Sequence, residues 1–85
     1  MKKGYHMKVT VTQQHINKGI PGTEVRCPIA LALKDTGTKH LFVKKFYFET
    51  DKGIYRLPKA ARDFVFKFDY KQEVAPFSFE AKQLI

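Results

Sequence analysis

Cys27 is the single thiol of the chain, flanked by Arg26 and directly followed by Pro28. A helix opening at Pro28 would put its sulfur at a helix N-terminus, where the dipole and the adjacent guanidinium both favour the nucleophilic thiolate. Thiolate catalysis also needs a base and an oxyanion site, and no spacing assigns His15 or His40 to that work. Cysteine is among the residue types most often buried, so Cys27 is expected to pack or cap beneath an apolar helix. His6, His15, His40 and Cys27 form neither a C-x₂₋₄-C nor an H-x₃₋₅-H pair, and no metal site is expected. Gly19-Ile20-Pro21-Gly22 has a proline where a phosphate-cradling loop needs free amides, and no Gly-Lys-Ser/Thr follows, so no cofactor is expected. Asp35, Asp51, Asp63 and Asp69 fall beside turns or on polar helix faces, where acids are solvated. Arg56, Tyr55, His40 and Lys45 are residue types that small RNA-cleaving toxins use, but nothing aligns an acid with a base. The expectation is a protein that is not an enzyme.

The basic surplus carries more information. Sixteen Lys and Arg against eight Asp and Glu give a net charge of +8, which favours anionic partners and excludes a mimic of the DNA backbone. Lys59, Arg62 and Lys67 surround Phe66 on a predicted helix, away from its apolar stripe. Lys44, Lys45, Lys52 and Arg56 decorate a predicted hairpin that also carries Tyr47 and Tyr55. Such a surface neutralises phosphates and stacks a base on Phe66, Tyr47 or Tyr55. The competing reading is solvated charge around one incidental ring, with Asp63 and Asp69 diluting the same helix. An exposed ring in a charged rim is also the anatomy of a protein interface, a homodimer contact included. No helix-turn-helix, zinc finger or RNP-type aromatic pair stands out.

These side chains need a scaffold, and 85 residues allow one domain. Residues 7–85 are read as that domain and residues 1–6 as an unstructured tail or leader, because Met1 to His6 lack periodicity and precede a second methionine, Met7. Apolar content of 44%, with eight Phe and four Tyr, belongs to a folded chain. One cysteine permits no internal disulfide, so a reducing, cytoplasmic compartment is expected. The longest apolar stretch, Pro28 to Leu33, is far short of the ~20 residues of a membrane span.

Lys8 to Thr12 alternates with period two and is β-branched, predicting a strand; Thr12 then caps a short turn over Gln13 to Lys18, stopped by Gly19. Pro28 opens a buried helix running toward Gly37. Leu41 to Glu49 is rich in strand formers, but its alternation breaks at Lys44-Lys45. A bulge there turns Leu41, Val43, Phe46 and Phe48 inward and both lysines outward. Thr50-Asp51-Lys52-Gly53 is turn chemistry, and Ile54 to Leu57 returns as a strand. Pro58 opens a second helix with Ala61, Phe64, Val65 and Phe68 as its core stripe, and Pro76 to Glu80 closes as a strand. The predicted class is α+β: about four mostly antiparallel strands with two helices on one face, ordered strand, helix, strand, strand, helix, strand.

The segments Thr10 to Gly19, Cys27 to Lys34, Arg56-Leu57-Pro58 and Pro76 to Glu80 together resemble short proteins encoded by bacteriophages and prophages, over nearly the whole chain from about Val9 to Glu80. The resemblance names no activity. It implies a bacterial cytoplasm and a host-directed accessory role. The functional expectation is therefore a non-catalytic phage-type protein contacting nucleic acid or a nucleoprotein through its basic, aromatic surface; the alternative is direct binding and inhibition of a host protein, such as a defence or transcription factor.

Overall fold

Strand alternation sorts the side chains of this protein onto two faces of one sheet, and helices cover only one of them. The computed structural model describes residues 6–84. Its elements are β1 (His6–Val11), α1 (Gln13–Lys18), α2 (Pro28–Asp35), β2 (Phe42–Val43), β3 (Tyr47–Thr50), β4 (Gly53–Arg56), α3 (Lys59–Asp69) and β5 (Phe77–Gln83). The five strands pair antiparallel in the order β1-β5-β4-β3-β2, an α+β architecture. Val9, Val11, Phe79, Ala81, Tyr55, Phe48 and Val43 point to one face and are buried there with Ile29, Ala30 and Leu33 of α2 and Ala61, Phe64 and Phe68 of α3. The rings interlock: Phe64 stacks on Phe77 at 4.7 Å, Phe77 on Phe79 at 5.4 Å, and Phe48 on Tyr55 at 5.2 Å between centroids. Offset stacking of this kind adds to the area term. None of the described helices is long and apolar enough to cross a membrane.

The strand and helix counts exceed expectation by one each, for local reasons. The predicted turn after β1 is the short helix α1, closed by a reciprocal cap: Thr12 Oγ1 accepts the His15 N–H (3.4 Å) and His15 Nδ1 accepts the Thr12 N–H (3.0 Å). Histidine here does what Glu or Gln does in the usual capping box. The predicted bulge at Lys44-Lys45 is instead a reversal. The Lys44 N–H donates to the Tyr47 carbonyl at 2.8 Å, so Lys45 and Phe46 form the two-residue tip of a β2–β3 hairpin. Both geometries break the alternation, but a reversal brings Phe48 back opposite Val43 and leaves Phe46 outside. Phe46 is 63% exposed, against the expectation that it faces inward. β5 runs on past Glu80 because Ala81 and Lys82 pair with β1, where tertiary pairing overrides weak strand propensity. β1 begins at His6; the tail expected for residues 1–6 otherwise lies outside the described residues.

Gly19 ends α1 with φ −70°, not in the left-handed conformation that usually recommends glycine there. Its reason is space: a Cβ would sit 2.7 Å from Cδ and Cγ of Pro28, the first residue of α2. The rigid proline ring cannot swing away. Gly19→Ala is therefore expected to destabilise the fold by about 1–3 kcal/mol through overpacking, read as a lower urea midpoint with an unchanged m-value; an unchanged midpoint would contradict the close approach.

Candidate functional site

α3 presents three faces. Ala61, Phe64 and Phe68 face the core; Phe66, at 100° per residue, falls nearly opposite and is 59% exposed. Tyr70, one turn on at the helix end, is 66% exposed, and its ring lies 4.6 Å from that of Phe66 at a 55° tilt. Phe46 reaches toward this side from the hairpin tip, with the Arg62 guanidinium 5.9 Å from its ring centroid, within cation–π range. Lys45, Phe46, Arg62, Val65, Phe66, Asp69 and Tyr70 line a cleft of about 270 Å³. That is just below the volume of pockets holding drug-sized ligands. Asp69 is partly committed, because its Oδ1 accepts the Gly22 N–H at 3.0 Å and ties the loop before α2 to the end of α3.

Of the residues singled out from sequence, the cleft gathers Lys45, Arg62 and Phe66. Lys67 lies on another flank of α3, and Lys59 lies two turns before Phe66 on the same face but does not line the cleft. Lys59 pairs with Asp63 at 2.9 Å, and its ammonium holds the Asp63 carboxyl below its ordinary range. Lys44 pairs with Glu24 at 2.8 Å, an interaction that raises the lysine above its usual value, and its Nζ stands 5.7 Å from the Phe42 ring centroid. Tyr47 and Arg56 stand opposite each other on the uncovered face of the sheet. Lys52 is exposed in the β3–β4 turn. Tyr55 corrects the expectation directly: it is 6% exposed and stacked on Phe48, because its place in the alternation puts it on the helix-covered face. It offers no ring to a ligand. Sequence reasoning missed Phe46, placed inward by the supposed bulge, and Tyr70, whose four-residue spacing from Phe66 was a readable signal.

The comparisons with known proteins give a single result. No family model, no curated protein and no solved structure matches the chain. The site therefore rests on its own geometry.

Two other constellations have chemical shape. Thr12 Oγ1 is 3.1 Å from His15 Nδ1, and His15 Nε2 is 2.6 Å from Asp35 Oδ2, the group types of a nucleophile relay in series. Here Thr12 gives both its hydroxyl and its N–H to the α1 cap, and the imidazole links that cap to the last residue of α2. Cys27 is buried at the N-cap of α2. Burial pushes its thiol up and the Asp69 charge adds to this, while the backbone amides of Ala30 and Ile29 pull the other way without prevailing. The sulfur is packed, as expected. Carbamidomethylation of Cys27 near pH 8 should be roughly a hundredfold slower in the native protein than in urea, because reaction waits for opening of the fold; equal rates would show an accessible thiolate.

Proposed function

We propose that the protein is a non-catalytic binding module that takes an unstacked base of a nucleic acid into the cleft between Phe46, Phe66 and Tyr70. One observation carries this reading. Three exposed rings from two separate elements converge on one cleft, and the two cations at its rim, Lys45 and Arg62, form no ion pair among the described residues. Rings stack on any base face, and guanidinium and ammonium groups neutralise the phosphates on either side. The net charge of +8 supplies the long-range attraction. A bacterial cytoplasm, the setting implied by the resemblance to phage-encoded proteins, offers such strands.

A protein partner is the second reading, and Asp69 favours it. A carboxylate lining the cleft repels phosphate, whereas Phe, Tyr and Arg around a small recess are the residue types of interface hot spots. On that reading the module occupies and blocks a host protein.

Fluorescence anisotropy with labelled oligonucleotides, titrated across salt, separates the two. Wild type should bind with a log–log slope of about −0.7 per neutralised phosphate of a single strand. Phe46→Ala and Phe66→Ala should each weaken binding roughly tenfold or more, the worth of one stacked base, with the slope unchanged. Absence of binding at about 50 mM salt, where phosphate interactions are strongest, would remove the nucleic-acid reading.

A further inference from the structure

The uncovered face of the sheet carries a second line of side chains that the cleft does not use. Strand register sets His6 opposite Lys82, Lys82 opposite Arg56, and Arg56 opposite Tyr47. The bond from the Lys44 N–H to the Tyr47 carbonyl continues this row to the sheet edge. All five residues alternate with inward neighbours and so point away from the helices. At a strand spacing of about 4.8 Å the row is a stripe roughly 19 Å long, one side chain wide. Like charges set directly opposite on neighbouring strands destabilise a pair, yet Lys82 and Arg56 face each other, and neither forms an ion pair among the described residues. Lys44 alone in the stripe is paired, with Glu24.

The next row across the same face is mostly apolar. Leu84, whose N–H donates to the Ile54 carbonyl at 2.7 Å, is followed by Ile54, Glu49 and Phe42; Leu84 and Phe42 are exposed. On the other side of the stripe Lys8 faces Glu80, a balanced pair. The stripe ends at Lys44, adjoining Lys45 and Phe46 at the rim of the cleft.

We infer that this face is a track for an extended single strand of nucleic acid, with phosphates along His6, Lys82, Arg56 and Lys44, and bases over Leu84, Ile54 and Phe42. The charge pattern selects the occupant. A stripe one side chain wide, bordered by an apolar row, complements one phosphate backbone with its bases turned to one side. A duplex shows two backbones and hides its base faces, and it is read by elements that enter its grooves. The inference rests on the proposed reading of the cleft only for where the strand goes next.

The test uses the full chain with three probes: a single-stranded DNA of about 12 nucleotides, its abasic counterpart, and the corresponding duplex, each titrated against salt. The double variant Arg56→Gln/Lys82→Gln should flatten the single-strand slope by about 1.4, about 0.7 for each phosphate no longer neutralised, and should do so for the abasic probe too. Removing the facing charges relieves repulsion, so the variant should melt no lower than wild type. Glu49→Gln should tighten binding of the base-bearing strand. An unchanged slope in the double variant, or preference for the duplex, overturns the track. The cleft is scored separately: if Phe46→Ala and Phe66→Ala leave affinity for the base-bearing strand unchanged while the stripe variant flattens the slope, the track stands and base stacking in the cleft falls.

Discussion

A side chain on a strand reaches only one face of its sheet, and in this protein one face is spent mainly on the core. Val9, Val11, Phe48, Tyr55, Phe79 and Ala81 are all taken up beneath α2 and α3. What remains for solvent or a ligand is fixed by the same period of two: His6, Lys8, Tyr47, Arg56 and Lys82 are outside because their neighbours are inside. The partition also decides between adjacent residues of similar promise. Tyr55 is lost to the core, and Arg56, one position later, is delivered to the surface.

The same periodicity made much of the fold readable beforehand. Pro28 does open a helix, and its apolar run is buried as its lack of polar surface required. The α3 stripe of Ala61, Phe64 and Phe68 was legible from its spacing, and the outward turn of Phe66 followed from it; Val65 is only partly buried at the margin. The failure at the hairpin has a local origin. A break in alternation at Lys44-Lys45 signals that the strand is interrupted, without saying whether the chain bulges or turns back. The difference is carried by a hydrogen bond between Lys44 and Tyr47 and by pairing with β4. Phe46 was misplaced for that reason, and the cleft could not be assembled from sequence because one of its walls was thought to be core.

The connections between helices are made by polar groups in unusual places. His15 caps α1 with one ring nitrogen and holds Asp35 at the end of α2 with the other, so one imidazole joins two helices otherwise packed through apolar contacts. Gly19 makes room for Pro28 at the opposite ends of those helices. Asp69 receives the Gly22 N–H, and Glu24 offers its carbonyl to Val43, so the segment between α1 and α2 covers the outer edge of β2 and is tied to α3 as well. A covered edge offers no template for another strand.

The Phe46 carbonyl also accepts the N–H of Leu57 at 2.9 Å, and Leu57 directly precedes Pro58, the cap residue of α3. The hairpin tip is thereby fastened, main chain to main chain, to the residue before the cap of α3, which anchors one side of the cleft's aperture. A preformed aperture of this kind forfeits little conformational freedom when it is filled.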